Sequence, residues 1–358
     1  MALKELESLE VLVIVDNEVD PISQYPQDGI TAYGGLASLA RDSIPVNRGG
    51  QTVHELRMEQ ICCGAHGLSL MIVSPISEYF IDLSPVIYLF FDLFAGTAIK
   101  GDKRKTLLFD AGPEEAVWEL NAKRLRPDLS SIDVIHLSHW HRDHSGGMLR
   151  AVEMINAAKA SKGLKNVTVD LHPDRPDYRG VTLPDFQMSL EADPTFAEIT
   201  NAGGIISENA DTHTILDDMF LISGEIPRVT NYETGLSRGA RLVSDTGKWE
   251  EDTLILDERF VIYRGIVVFT GCSHAGVVNV SKHALALGEG APLYAIMGGY
   301  HLGDAQQEQI DESVCDLMAL EPKLLIPGHC TGWRAKYAIE QAMGGKLVPS
   351  TVGTRFTL

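Results

Sequence analysis

The run His139-Trp140-His141-Arg142-Asp143-His144 places four metal-ligating side chains within six residues. It follows Ile132-Asp133-Val134-Ile135-His136-Leu137-Ser138, which is apolar and β-rich, and it is closed by Ser145-Gly146-Gly147. The segment therefore reads as a buried strand running out into a loop. That reading restricts the fold, because polar groups at this density just beyond a buried strand are costly unless something partners them. In extended backbone alternate side chains face the same way, so His139, His141 and Asp143 are expected to converge while His144 approaches from the other side. Imidazole and carboxylate suit zinc, iron or manganese, and two adjacent ions would use all four residues.

Three further histidines share the same kind of position. His274 lies in Phe269-Thr270-Gly271-Cys272-Ser273-His274-Ala275-Gly276, His301 in Met297-Gly298-Gly299-Tyr300-His301-Leu302-Gly303, and His329 in Leu325-Ile326-Pro327-Gly328-His329-Cys330-Thr331-Gly332. Each follows an apolar run and sits in a glycine-bounded loop, and sites in α/β proteins form at such strand ends. His274 and His329 are read as metal ligands. For His301, ligation, substrate contact and a structural role all stand. His54, His66, His136, His172, His213 and His283 have weaker surroundings and are read as ordinary structural histidines.

Composition narrows the partners. The formal charge of −19, from 30 basic and 49 acidic residues, argues against sequence-independent nucleic-acid binding, which needs phosphate-neutralising Lys and Arg. Five cysteines, two adjacent at Cys62 and Cys63 and the others scattered, make neither a disulfide framework nor a zinc ribbon, and so favour a reducing, cytoplasmic setting. The opening Met1-Ala2-Leu3-Lys4-Glu5-Leu6-Glu7 does not read as a secretory signal, and the most apolar segment, 86–99, is interrupted by Asp92 and too short to span a membrane. A small-molecule substrate is the expected partner; oligomeric state is not legible.

No repeat or low-complexity tract appears, and the pattern is that of two α/β halves. Strands are expected at 11–15, 68–73 and 106–109, helices at 113–125 and 148–162, then a meander of strands at 254–256, 260–263 and 266–270 with a turn at Arg264-Gly265. Helices at 277–287, 306–320 and 333–343 then alternate with strands at 293–297 and 324–327. Such mixtures imply sheets covered by helices on their outer faces. We read residues 1–358 as a single domain, with a loop-rich insertion at about 173–250 roofing the site and an apolar insertion at about 75–105.

The chain resembles the metallo-β-lactamase superfamily, whose His-Xaa-His-Xaa-Asp-His signature is matched by His139 to His144. It is most similar to the branch of hydrolase-like proteins related to the archaeal dihydropterin–ribofuranosylaminobenzene phosphate synthase. The residues that carry this are His66-Gly67-Leu68-Ser69, Leu108-Phe109-Asp110-Ala111-Gly112, Leu137-Ser138-His139, Ser223-Gly224-Glu225-Ile226-Pro227-Arg228, Thr270-Gly271-Cys272-Ser273-His274 and Gly328-His329-Cys330-Thr331-Gly332. The resemblance implies an αββα sandwich, two mixed β-sheets covered by outer helices, with two divalent metal ions at the edge between the sheets. Zinc is foremost, with iron and manganese as the other choices. It further implies that one ion takes His139, His141 and His274 and the other Asp143, His144 and His329. The superfamily usually has a bridging aspartate in a Gly-Asp pair where this chain has Gly271-Cys272. Cys272 is therefore a candidate thiolate ligand at the bridging position or a small buried hydrophobe, with His274 moving into the gap or one metal binding weakly as the other outcomes. Asp110 is expected to orient a ligand imidazole.

Two such ions lower the pKa of bound water and polarise a substrate oxygen, with Asp143 as the catalytic carboxylate. The expectation is a metal-dependent hydrolase that uses metal-bound hydroxide on an ester, lactone, thioester or phosphoester. The alternatives are a pterin-type transferase with a diphosphate leaving group, in which Glu225, Arg228 and His301 contact substrate, or a non-catalytic ligand-binding member of the superfamily.

Overall fold

The computed structural model describes residues 9–23, 30–32, 43–74, 104–263, 267–289 and 291–358. The apolar segment at 86–99, nearly all of the 75–105 insertion and the turn at Arg264-Gly265 lie outside the described residues.

Two sheets face each other. The first has eight strands in the order Ile205–Glu208, Thr168–Leu171, Ile132–His136, Thr106–Phe109, Ser69–Val73, Glu10–Val15, Thr354–Thr357 and Ile30–Ala32. The second has six, in the order His213–Ile215, Phe220–Ile222, Val261–Tyr263, Val267–Thr270, Ala295–Gly299 and Leu324–Gly328. Both are mixed. Ile205–Glu208, Thr168–Leu171, Ile132–His136 and Thr106–Phe109 pair parallel in turn, as do Val267–Thr270, Ala295–Gly299 and Leu324–Gly328, while the remaining neighbours run antiparallel.

Period-two alternation separates the two faces of each strand. Val11 and Val13 face the other sheet, among Phe109, Phe220, Phe269 and Met297, whereas Leu12 and Ile14 face outward onto helices. The helix Glu115–Leu125 buries Trp118, Asn121, Ala122 and Leu125, the i, i+3, i+4, i+7 stripe of an amphipathic helix, and ends at Arg126 in the left-handed conformation. Met148–Ala160 buries Met148, Ala151, Val152 and Ile155 on the same outer face. Val277–Leu287, Gln307–Ala319 and Trp333–Ala342 cover the outer face of the second sheet, around Val278, Val314 and Ile339. The result is the expected αββα sandwich. No helix among the described residues is long and apolar enough to cross a membrane.

Three local expectations need correction. Residues 173–250 carry much more strand than a loop-rich insertion would. Tyr178–Thr182, Gln187–Ser189, Gly239–Val243 and Lys248–Glu251 make an antiparallel four-stranded sheet, and His213–Ile215 and Phe220–Ile222 extend the second large sheet. These strands are short and partly exposed, so hydrogen bonding holds them without leaving a strong apolar alternation in the sequence. No strand forms at 254–256. Leu254 and Leu256 are 42% and 51% exposed, while the charged run Asp257-Glu258-Arg259 is buried. Finally, the metal-binding segment is not extended throughout: the strand ends at His136, and Arg142–Ser145 forms a single helical turn. Alternation therefore holds for His139 and His141, and Asp143 swings away to join His144.

Candidate metal centre

Every loop that carries a candidate ligand leaves the C-terminal end of a strand, and those ends gather on one edge of the sandwich. Glu10–Val15 delivers Asp16 and Asn17, Thr106–Phe109 delivers Asp110, and Ile132–His136 delivers the His139–His144 run. From the second sheet, Val267–Thr270 delivers Cys272 and His274, Ala295–Gly299 delivers His301, and Leu324–Gly328 delivers His329. The two sheets meet closely here: a Cβ on Gly271 would fall 2.2 Å from the Ser138 hydroxyl. Asp110, Ser273, His301 and His329 all have left-handed backbone, with φ of 58°, 61°, 49° and 46°. Such strain persists only where the surroundings enforce it, and it clusters at functional sites.

Two groups of ligand atoms converge. In the first, His139 Nε2 is 3.0 Å and His274 Nε2 3.2 Å from His141 Nδ1, with the three rings edge-on to one another. In the second, Cys272 Sγ is 3.2 Å from His144 Nε2 and 3.2 Å from His329 Nε2, and Asp143 Oδ2 is 3.1 Å from His329 Nε2 and 3.7 Å from His144 Nε2. Within each group the ligand atoms all lie within 4.8 Å of one another. The rings of His139 and His144, 4.4 Å apart, join the two groups.

The donor set fits divalent cations. The outer nitrogens of three ligand histidines are engaged, while His274 Nδ1 is buried without a hydrogen-bond partner among the described residues: His144 Nδ1 lies 2.6 Å from Asp110 Oδ2, His139 Nδ1 2.9 Å from the Ser138 hydroxyl, and His329 Nδ1 3.2 Å from Asn17 Oδ1. In the neutral ring that a metal would bind, Nδ1–H is donated to Asp110 and the Nε2 lone pair of His144 faces the nitrogen of His329 and the sulfur of Cys272. Protons alone satisfy so many facing acceptors poorly, whereas a cation satisfies them together. Asp110 acts on both groups, since it also accepts from the Ser138 N–H at 2.7 Å and the Ser138 hydroxyl at 2.9 Å. This is the orienting contact expected of a carboxylate behind ligand histidines.

The electrostatics differ between the groups. Burial, reinforced by the Arg179 guanidinium, lowers His141 to about 3, and burial together with neighbouring imidazoles holds His139 and His274 well below the usual histidine value. These three are neutral near pH 7, the form that ligates. Burial alone would also lower His144, but the carboxylates of Asp110 and Asp143 overcome it and raise it to about 9. Desolvation works against the Asp143 carboxylate, yet His144 and His329 hold it ionised, well below the usual range. Burial pushes the Cys272 thiol well up in the metal-free protein.

The other expected site residues lie as follows. The His301 ring lies tilted against that of His274, 4.3 Å between centroids, and with it places a ligand atom within 4.8 Å of Cys272. Arg228 is turned to the chain rather than to open space: Nη1 donates to the His274 carbonyl at 3.1 Å and Nη2 to that of Leu254. Glu225 is exposed and lies near Arg228. His136 is buried 2.9 Å from Asp170, remote in role from the ligand groups.

Several residues near the centre were passed over in the sequence. Asp16 accepts the His329 N–H at 2.7 Å; an aspartate directly after the apolar 11–15 run is the same signal that marked Asp110. His66, read as an ordinary histidine, stands at the mouth with Nε2 3.6 Å from Asp143 Oδ2 and its ring 4.7 Å from His329, while Asn17 Nδ2 lies 3.1 Å from its Nδ1. Cys330 places Sγ 3.5 Å from the Cys272 carbonyl. Nothing in the sequence around His66 or Cys330 predicts these neighbours, which come from distant strands.

No family model matches the chain. Among curated proteins, 7,8-dihydropterin-6-methyl-4-(β-D-ribofuranosyl)-aminobenzene-5′-phosphate synthase of Methanocaldococcus jannaschii is 30% identical over 242 residues, 65% of this chain and 78% of that protein. An uncharacterized protein of the same organism is 28% identical over 259 residues, 70% of this chain and 89% of its own. Among solved structures, a metal-dependent hydrolase of the β-lactamase superfamily superposes with a TM-score of 0.61 at 19% identity, covering 98% of this chain and 99% of the other. With the sandwich, the two ligand groups at its edge and the extent of the synthase match, the chain belongs to the metallo-β-lactamase superfamily, in the branch that contains that synthase.

Proposed function

We propose that this protein is a dinuclear metal-dependent hydrolase acting on an ester, lactone, thioester or phosphoester, with zinc as the metal. The observation that carries the reading is the pair of adjacent ligand groups, His139/His141/His274 and Asp143/His144/Cys272/His329, joined through the His139 and His144 rings. Divalent cations held there would lower the pKa of water toward neutrality and polarise a substrate oxygen. The chain's own part is to place and move protons. The Asp143 carboxylate, kept ionised between His144 and His329 with Oδ2 turned to their ring nitrogens, would orient the attacking water and pass a proton toward the leaving group. His66, mostly exposed and 3.6 Å from that oxygen, is placed to meet the leaving group. Asp110 and Asn17 hold the His144 and His329 rings in position, so little reorganisation is required when substrate arrives.

A pterin-type transferase is the second reading, favoured by the synthase name of the 30%-identical relative. The two differ in the nucleophile. Chelator-stripped protein reloaded with Zn²⁺ is tested on phosphodiester, lactone and thioester model substrates, and separately on a dihydropterin methyl diphosphate with and without an arylamine acceptor. Turnover of a model substrate in water alone supports the hydrolase. Product that forms only when the acceptor is present supports the transferase. Zinc uptake with neither turnover overturns both and leaves a ligand-binding member of the superfamily.

A further inference from the structure

Asp257, Glu258 and Arg259 are three consecutive charged residues just before the strand Val261–Tyr263, with exposures of 0%, 2% and 0%. Charged side chains are rarely so buried unless hydrogen bonds satisfy them. Here their bonds go to the two ligand-bearing loops. Asp257 Oδ2 accepts the Trp140 N–H at 2.8 Å and Arg179 Nη1 at 3.1 Å, Asp257 Oδ1 accepts from Arg179 Nη2, and Nη1 also donates to the Trp140 carbonyl at 2.9 Å. The Arg259 N–H donates to the Ser138 carbonyl at 2.8 Å, its Nη2 to the Leu137 carbonyl at 3.1 Å and its Nη1 to Asp170 at 3.0 Å. Glu258 points the other way: Oε1 accepts the His274 N–H and Oε2 the Ala275 N–H, both at 2.7 Å. Alternation along three residues thus fastens the backbone around His139 and His141 on one side and that of His274 on the other.

We propose that Asp257-Glu258-Arg259 is a positioning clamp that sets His274 against His139 and His141, with Glu258 the residue that fixes His274. The inference rests on the metal reading above and names which of the two ion positions depends on the clamp. Glu258 has no bond among the described residues to Asp143, His144, Cys272 or His329, so its effect falls on the all-histidine position. A carboxylate accepts two N–H groups where an amide oxygen takes one and presents an N–H to the other, so Glu258→Gln keeps the volume and disrupts the grip. A natural control lies where the chain after His274 enters the helix Val277–Leu287: Glu233 accepts the N–H groups of Val278 and Asn279 at 2.8 and 2.9 Å, capping that helix without touching the ligand residues.

The experiment is calorimetric titration of the chelator-stripped chain with Zn²⁺, alongside thermal melts. Wild type is expected to take two equivalents. Glu258→Gln keeps one and binds the other roughly 10- to 100-fold more weakly, the range found when an outer partner of a metal site is removed. Glu233→Gln lowers the melting temperature and keeps both equivalents at wild-type affinity. In a His274→Ala background, adding Glu258→Gln changes zinc binding no further, as expected if the two act through one position. Should Glu258→Gln fail to fold, Glu258→Asp, which reaches one N–H and not both, replaces it. Two tight equivalents in Glu258→Gln, or the same binding loss in Glu233→Gln, overturns the clamp. No zinc uptake by wild type overturns the metal reading first.

Discussion

The two ligand groups are built from the same edge of the same sandwich but differ in kind. His139, His141 and His274 are three buried, neutral imidazoles with no carboxylate or thiol among them. The neighbouring group combines two imidazoles with an ionised carboxylate and a thiol, and it reaches the mouth through Asp143, whose side chain is 21% exposed. The first group therefore resembles a holding site whose tightness is set by the backbone clamp behind it. In the proposed function the second supplies the charge, the softer candidate ligand Cys272 and the access to substrate. Adjacent sites of one fold are thus distinguished by what stands at a few strand ends, not by the sheets that present them.

Breaking the second group should have the largest effect on chemistry. Asp143→Ala removes the carboxylate at the mouth and is expected to lower turnover by roughly 10²- to 10⁴-fold, the usual worth of a general base, with an unchanged circular dichroism spectrum. Retained turnover would place the reaction on the other group and invert the comparison.

Cys272→Asp sharpens the contrast in ligand softness. A thiolate favours zinc, whereas an aspartate at the same place suits harder ions, so the preference for Zn²⁺ over Mn²⁺ should fall by about tenfold or more in competition binding. An unchanged preference would mean that Cys272 packs beside the ions without ligating.

The smallest expected effect concerns His144 and Asp110 in the metal-free chain. The folded value for His144 is about 9, above its ordinary 6.5, so the ion pair's contribution is fully present below pH 6.5 and is lost as pH rises through about 9. Metal-free protein should lose several degrees of melting temperature across that window. Asp110→Asn should flatten the dependence, and Zn²⁺ should abolish it, because the metal binds the neutral ring. An equally steep slope in Asp110→Asn would remove this pair as its cause.

Much of the site was legible because it is local. The His139–His144 run announces itself through density, and the strand-end position of His274, His301 and His329 can be seen one loop at a time. Asp110 was readable for the same reason, following directly on an apolar strand. His66, Asn17 and Cys330 were not, since each matters only through a neighbour far away in sequence. The motif with Glu225 and Arg228 was noticed as well, and its Arg228 donates to the carbonyls of His274 and Leu254. Residues 254–259 misled for a physical reason. Apolar leucines suggested a strand of the meander, yet they are exposed and the charges beside them are buried, because those charges find backbone partners that no local pattern encodes.

The sequence by itself determined the layered α/β architecture, since alternation and helical stripes are short-range signals of which surfaces must be covered. It also determined that ligand-type residues stand at strand ends. The residue pattern, apart from the family resemblance, does not divide those residues between two groups; the fold does so, because the single helical turn at Arg142–Ser145 turns Asp143 toward His329. It alone decided that Asp257-Glu258-Arg259 lies against both ligand loops. Pairings between residues more than a hundred positions apart follow from how two sheets stack, and stacking is a property of the whole core rather than of any segment within it.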